Sequence, residues 1–190
     1  MSTGSNAIKV ANPKVGGGVF RAPLGTKLPE SYEDELDPAF KALGYVGEDG
    51  VNKTEDNESD DLIAWGGDAV LDLPGTHTVT YGGTFLESRN AELLKALRGE
   101  GNVEIGSNGA IAIKGNAKRP PRAVYVIDTD SVREVIPVGQ IRISGDTAFV
   151  HNNAISYPSE WKGYPNEDGD KFFTYYPAET PDSTPETPEG

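Results

Sequence analysis

Residues 76–86, Thr-His-Thr-Val-Thr-Tyr-Gly-Gly-Thr-Phe-Leu, decide the fold class of this chain. Residues 77–81 are rich in β-branched side chains, which pack well on the pleated surface of a sheet. Pro74-Gly75, immediately before this stretch, is a strong turn signal, so we expect residues 69–73 to form the preceding strand of a hairpin. The stretch therefore predicts a protein built mainly from β-strands.

Short strand-like runs continue on both sides of this hairpin, and Gly, Asn or Pro separates most of them. They lie at residues 19–23, 102–105, 110–114, 122–127, 131–136, 140–144, 147–150, 154–161 and 171–176. The last two flank a turn at residues 166–170 and are predicted to pair with each other. Many short strands at this spacing are typical of a β-sandwich or barrel.

One clear helix interrupts the strands. Asn90 is a good N-cap for residues 91–98, and Gly99 can adopt the conformation that ends a helix. Leu93, Leu94 and Leu97 share one face of this helix, which we expect to pack on a sheet.

A second, shorter helix is predicted over residues 37–44. Asp37 can cap it, Pro38 suits the first helical position, and Gly44 can end it. It would span one to two turns, with Phe40 and Leu43 as its apolar anchors. The fold class predicted from the sequence is thus a mainly β domain, a sandwich or barrel, with one flanking α-helix and one short helix.

Three polar segments have too little apolar surface to offset the entropy of ordering them. Residues 1–15 form an N-terminal arm that we expect to become ordered only against a neighbouring molecule. Residues 48–61 are predicted to be a mobile acidic loop between two strands. Residues 177–190 form an acidic tail with three Thr-Pro steps, expected to be extended and disordered. The β domain itself covers residues 16–176.

Composition excludes several classes of function. The 190 residues contain no cysteine, so disulfides, thiolate metal sites and cysteine nucleophiles are excluded. A formal charge of −13 argues against tight binding to nucleic acid, which needs clustered cations. We see no signal peptide and no apolar run near the ~18–20 residues that span a bilayer, so we expect a soluble protein made in a cytoplasm.

Residues that could support catalysis are few. His77 and His151 lie far apart in strand-like stretches, and neither belongs to a motif that would make it a base or ligand. No nucleophile elbow, zinc-binding helix motif or phosphate loop is present. The Gly169 position in residues 166–170 is out of register with a calcium-binding loop. The sequence predicts that the protein is not an enzyme and has no cofactor or metal; a hydrolase with an unrecognised carboxylate pair is the weakest alternative.

Charge is distributed unevenly along the chain. A basic cluster surrounds Pro120-Pro121 and consists of Lys114, Lys118, Arg119 and Arg122, whereas residues 55–61 are strongly acidic. These segments are either two solvated loops or surfaces that meet between copies of the chain, where complementary charge would set the register of contact.

Several segments together resemble the tail-tube proteins (major tail proteins) of bacteriophages with long flexible tails, particularly those infecting actinobacteria. They are VFRAPLGTKLP at residues 19–29, LGYVGEDGV at residues 43–51, IAWGGD at residues 63–68, the helix at residues 90–99, VIPVGQ at residues 135–140, and Tyr164-Pro165 with Lys171-Phe172-Phe173. Their order and spacing cover roughly residues 15–176. Family members often carry an additional C-terminal immunoglobulin-like domain, whereas only the acidic tail is found here.

The resemblance implies a structural protein of the virion tail, assembled in the host cytoplasm. Its partners would be copies of itself in stacked hexameric rings, a tape-measure protein inside the lumen, and tail terminator and tail-tip proteins. DNA would pass through the lumen without specific binding, and no membrane would be involved. The alternative function is a monomeric module that decorates the capsid or attaches to the host.

The resemblance and the charge pattern together nominate the residues of self-assembly. They are Glu48, Asp49, Glu55, Asp56, Glu58, Asp60, Asp61, Trp65, Lys118 and Arg119.

Overall fold

The computed structural model describes residues 10–14, 17–152 and 154–178. Within them the chain is mainly β, with 45% of residues in strands and 7% in helices, and all strand pairs are antiparallel. The predicted fold class, a mainly β protein with a flanking α-helix, is confirmed. The elements are β1 (Val19–Pro23), β2 (Lys41–Ala42), β3 (Val46–Ile63), β4 (Ala69–Phe85), α1 (Ala91–Arg98), a 3-10 turn (Glu100–Asn102), β5 (Val103–Ile105), β6 (Ile111–Ile113), β7 (Ala123–Asp128), β8 (Arg133–Ile143), β9 (Tyr157–Gly163) and β10 (Phe173–Tyr175).

The main sheet has the strand order β2-β1-β7-β8-β9-β4-β3, while β5 and β6 form a separate hairpin. Both β9 and β10 pair with the same edge of β8: β9 with residues 139–143 and β10 with residues 133–135. The last two strands therefore continue one another along β8, and the prediction that they pair with each other is wrong. Residues 147–150 were predicted to be a strand and are not one.

Helix α1 is confirmed at the predicted residues. The side-chain oxygen of Asn90 accepts hydrogen bonds from the backbone N–H groups of Glu92, at 3.0 Å, and Leu93, at 3.2 Å. Gly99 follows the helix with a φ of 86°, a conformation that favours glycine. The three leucines of the apolar face are buried, so the helix covers one face of the sheet.

Trp161 lies at the centre of the larger core. Its ring centroid is 6.0 Å from that of Tyr81, 5.9 Å from that of Phe85 and 6.5 Å from that of Tyr125. A smaller core lies on the opposite face of β1, β7 and β8, because successive residues of a strand point to opposite sides. Its buried members are Ala22, Phe40, Val124, Val126 and Val135. These strands are thus covered on both faces.

The short helix predicted over residues 37–44 does not form. Asp37 does cap a turn, since its side chain accepts a hydrogen bond from the backbone N–H of Ala39 at 2.8 Å. The chain then enters β2, which pairs with the edge of β1. A helix of one to two turns is marginal alone, so pairing with an available strand edge is preferred. Phe40 and Leu43 are nevertheless buried, as the pattern of apolar residues indicated.

Residues 48–61 do not form the predicted loop. They belong to β3, which runs antiparallel to β4 over almost its whole length. The turn predicted at Pro74-Gly75 is wrong, because both residues lie within β4, close to a register shift opposite Ser59. The chain reverses instead at residues 64–68. The β-branched residues of β4 supply a well-formed strand edge, and β3 pairs with it through its backbone although its side chains are polar.

Part of the N-terminal arm is packed against its own subunit. Asn12 donates to the carboxylate of Asp130 through its backbone N–H, at 3.0 Å, and its side-chain amide, at 2.8 Å. The Lys14 Nζ atom lies 3.0 Å from Asp128 Oδ1. Residues 10–14 therefore do not wait for a neighbouring molecule to become ordered. The remainder of the predicted arm, and residues 179–190 of the predicted tail, lie outside the described residues.

Candidate assembly surfaces

A two-stranded hairpin extends beyond the main sheet. Strand β4 pairs with β9 only from Val79 to Phe85, so residues 69–78 of β4 pair with β3 alone. Ten strand residues at roughly 3.4 Å each give this extension a length of roughly 34 Å. A two-stranded hairpin is marginally stable in water when nothing packs on it, so this extension is suited to contact another molecule.

The end of this hairpin carries large apolar side chains in solvent. We call this group the tip cluster; it consists of Leu62, Ile63, Trp65, Val70, Leu71 and Leu73, all exposed. Leu62 and Leu71 are cross-strand partners, and Leu73 lies two residues further along β4, so these three share one face. Contiguous exposed apolar surface of this kind marks sites of protein–protein contact. Of this cluster, only Trp65 was nominated from the sequence, because a run of apolar residues ordinarily indicates burial.

Glu55, Asp56, Glu58 and Asp61 of β3 lie exposed along the same hairpin. Glu55 is neutralised locally: its carboxylate is 2.8 Å from Lys53 Nζ and 3.8 Å from His77 Nε2. The hydrogen bond from Lys53 holds the pKa of Glu55 below its usual value. Asp56, Glu58 and Asp61 make no ion pair with any described residue. Asp60 lies opposite Leu73 in the backbone pairing of β3 with β4.

Glu48 and Asp49 lie where β3 departs from regular pairing, between its Val46 and Val51 partners. They are exposed on the wall of an open cavity of about 640 Å³. On its floor the carboxylate of Glu134 accepts a hydrogen bond from the hydroxyl of Tyr81 at 2.6 Å and lies 2.5 Å from Lys53 Nζ. Burial raises the pKa of Tyr81, and the hydrogen bond to the Glu134 carboxylate raises it further. These polar groups satisfy one another, an arrangement that ties strands together.

Lys118 and Arg119 line a second surface feature, a cleft of about 420 Å³ that we call the basic cleft. Its other basic residues are Arg21, Arg98 and Arg122. Lys114, which the sequence grouped with this cluster, is paired with Glu104 instead. The sequence missed Arg21 and Arg98 because they come from β1 and α1, which only the fold brings beside residues 118–122.

Arg21 forms the buried side of the basic cleft. Its side chain is 8% exposed, and its Nη1 atom lies 3.7 Å from the carboxylate of Glu100. The Nε atom of this guanidinium is buried, and the guanidinium lies beside the buried hydroxyl of Tyr125. Burial raises the pKa of Tyr125 to about 12, with Arg21 acting in the opposite direction. Because five basic side chains and one carboxylate line it, the cleft carries excess positive charge that favours an anionic group.

The basic cleft and the acidic strand β3 do not meet within one subunit. No ion pair joins Lys118 or Arg119 to residues 55–61 in the part of the chain that the structure describes. The sequence-based hypothesis that these surfaces meet between copies stays a prediction.

Neither histidine belongs to a site that could hold a metal. His77 is half-exposed beside Glu55, and His151 is exposed. In the described ranges, no group of three or more His, Cys, Asp or Glu side chains is arranged to bind a metal ion.

No described helix is long and apolar enough to cross a membrane. Comparison with models of known protein families, and with curated proteins, finds no match for this chain.

Proposed function

We propose that this protein is a structural subunit that assembles with copies of itself into the stacked hexameric rings of a bacteriophage tail tube. The observation that carries the proposal is the hairpin of β3 and β4, which extends roughly 34 Å beyond the sheet and ends in the exposed tip cluster. The resemblance of residues 15–176 to tail-tube proteins supplies the kind of assembly.

The tip cluster favours contact with another subunit on energetic grounds. Full burial of a Leu, Ile or Val side chain is worth about 1.5–3 kcal/mol, and these side chains are about half exposed. Each therefore has about 1 kcal/mol still to gain from a partner, and Trp65 has more. Leu62, Leu71 and Leu73 share one face of the hairpin, so a single partner surface can cover all three and favour association.

The outer edge of β3 supports a second contact. It is the end strand of the sheet, with no partner on its outer side among the described residues. Such an edge readily pairs with another strand. Asp56, Glu58 and Asp61 place negative charge along it, so two identical edges repel each other and a differently charged neighbour is preferred.

The assembly we propose is head-to-tail. A contact between two different surfaces of the same chain closes into a ring when its rotation is right, and a further contact along the axis stacks the rings. The tape-measure protein would occupy the lumen during assembly, tail terminator and tail-tip proteins would cap the tube, and DNA would pass through later.

We assign the uncovered face of the sheet to the lumen. The residues of β4 that alternate with buried Tyr81 are Thr80, Gly82 and Thr84; all three are half-buried, and a Cβ atom added at Gly82 would meet no described atom within 4 Å. On the neighbouring strand β9, the carboxylate of Glu160 lies 2.6 Å from a guanidinium nitrogen of Arg142, which belongs to β8. Lys162, the cross-strand partner of Thr80, adds an exposed cation to this face, so its charge does not by itself favour a conduit for DNA.

A concentration series by sedimentation velocity tests the proposal. The full chain is expected to form hexamers and larger species as its concentration rises. A matched variant with Leu71→Ser and Leu73→Ser, which changes only exposed positions, should stay monomeric with an unchanged circular dichroism spectrum. A wild-type chain that stays monomeric throughout but binds capsids or cells would overturn the proposal in favour of a decorating or attachment module.

A further inference from the structure

Charge is segregated between the two ends of β7. Lys118, Arg119 and Arg122 immediately precede this strand and line the basic cleft. At the other end of β7, where it leads into β8, residues 30–35 pack against Thr129 and Arg133. We call these residues the 30–35 turn. Its exposed carboxylates are Glu30, Glu33, Asp34 and Glu35. Lys14, paired with Asp128, and Lys27 also lie at this end. The surface before β7 thus carries excess positive charge, and the 30–35 turn carries excess negative charge.

The 30–35 turn is held in a fixed shape. The carboxylate of Asp34 accepts hydrogen bonds from the backbone N–H of Glu30, at 2.7 Å, and the hydroxyl of Ser31, at 2.8 Å. The buried guanidinium of Arg133 donates from Nη1 to the carbonyl oxygens of Ser31, at 3.2 Å, and Asp34, at 2.6 Å. The turn thus presents Glu33 and Glu35 at defined positions, and neither makes an ion pair with a described residue.

The basic cleft is equally well fixed. The side chain of Gln140 donates to the carbonyl oxygen of Pro120 at 2.6 Å, and the backbone N–H of Lys118 donates to Asn116 Oδ1 at 2.9 Å. The guanidinium of Arg122 stacks 4.0 Å from the ring of Tyr164. Five cations line the cleft with one carboxylate, that of Glu100. A concave, preorganised site with excess positive charge fits a compact acidic turn.

These two surfaces cannot meet within one molecule. The six residues of β7 separate them by roughly 20 Å. Two molecules placed end to end along the strand direction can bring them together. Residues 55–61 fit the concave cleft less well, because they form an extended strand and not a compact turn.

We propose that the 30–35 turn of one subunit docks in the basic cleft of the next, as the contact along the axis of the assembly. The inference rests on the proposed function and names its axial interface. Glu33 and Glu35 enter the cleft, where Lys118 and Arg119 pair with them. The contact is heterologous, so it repeats from one subunit to the next and sets the direction of the tube.

Charge reversal tests the pairing. One variant carries Glu33→Lys and Glu35→Lys, and a second carries Lys118→Glu and Arg119→Glu. At about 50 mM salt each variant alone should need at least a tenfold higher concentration than wild type to form tubes, because like charges then face each other. An equimolar mixture should assemble near the wild-type concentration, since each reversed surface finds its complement. Failure of the mixture to recover, or wild-type assembly by either variant alone, would overturn the inference.

A hairpin variant with Glu58→Lys and Asp61→Lys is the matched control. Mixed with the Lys118→Glu, Arg119→Glu variant it should not restore assembly; restoration would instead assign the basic cleft to the acidic strand.

Disulfide capture keeps the inference testable even if no tubes form, because the chain has no cysteine of its own. Chains carrying Glu33→Cys and chains carrying Arg119→Cys should give a cross-linked heterodimer when mixed and oxidised. Chains carrying Asp61→Cys should give far less with Arg119→Cys. Absence of wild-type assembly would contradict the proposed function, whereas absence of the Glu33–Arg119 cross-link would contradict the axial contact.

Discussion

Replacing Trp65 with alanine separates assembly from folding, because the chain has two tryptophans in opposite environments. Trp65 is fully exposed at the end of the hairpin, whereas Trp161 is 0% exposed at the centre of the core. Burying a tryptophan removes about 150–250 Å² from water, worth at most about 4–6 kcal/mol at 25 cal/mol per Å². Truncation to alanine should therefore cost the contact about 2–4 kcal/mol, within the range of interface hot spots.

That cost appears as a higher concentration for assembly. A loss of 2–4 kcal/mol corresponds to a rise of roughly 30- to 700-fold, measured by light scattering or sedimentation across a dilution series. The thermal midpoint of the dispersed chain should not change, since Trp65 contacts no core residue. In the wild type, tryptophan emission should also move to shorter wavelength on assembly, as Trp65 leaves water.

Trp161→Ala is the matched control. It removes the ring on which Tyr81, Phe85 and Tyr125 pack, and should lower the free energy of unfolding by about 3–5 kcal/mol. The reasoning is refuted if Trp65→Ala assembles at the wild-type concentration, or if it destabilises the dispersed chain as Trp161→Ala does.

Three further predictions concern the fold. Asn90→Ala should lower the free energy of unfolding by about 1 kcal/mol in denaturant titration, because two backbone N–H groups of α1 lose their acceptor, whereas Asn90→Asp should be nearly neutral. Gly139→Ala should destabilise by about 1–3 kcal/mol, since its methyl group would lie 2.6 Å from Tyr125 Cδ2; Gly101→Ala, with open space around it, is the control. Hydrogen bonds from the backbone of Glu30 and from Ser31 hold the pKa of Asp34 below its ordinary value of 3.8. The ionised Asp34 carboxylate therefore stabilises the folded chain above pH 3.8, and this contribution is lost as the pH falls through the pKa of the folded state. The difference in thermal midpoint between wild type and Asp34→Asn should accordingly shrink in acid.

Elements with complete local signals could be predicted from the sequence. Helix α1 has its cap, its apolar face and its terminating glycine within ten residues, so nothing distant was needed to place it. Strands β1 and β7 were found because both consist mainly of apolar residues, which are buried on both faces.

Elements that depend on a distant partner could not be predicted. Residues 48–61 read as a loop because their polarity is high, yet β4 makes them a strand through backbone pairing. Residues 37–44 carried a helix cap, but the free edge of β1 captured residues 41–42 as a strand. In both cases a tertiary contact outweighed the local preference.

The candidate site was only partly visible in the sequence. The acidic residues of β3, Trp65, Lys118 and Arg119 could be nominated from the charge pattern and the family resemblance together. Their roles depend on exposure and on which end of the sheet each residue occupies. The 30–35 turn was missed altogether, because its four carboxylates form a surface only once Arg133 fixes the turn.

Electron microscopy of the purified chain of 190 residues tests the central claim most directly. At rising protein concentration the account predicts hexameric rings that stack into hollow tubes, in which the hairpin of one subunit lies on its neighbour and Trp65 is buried. Dispersed single subunits at every concentration, in a chain that is folded by circular dichroism, would contradict it.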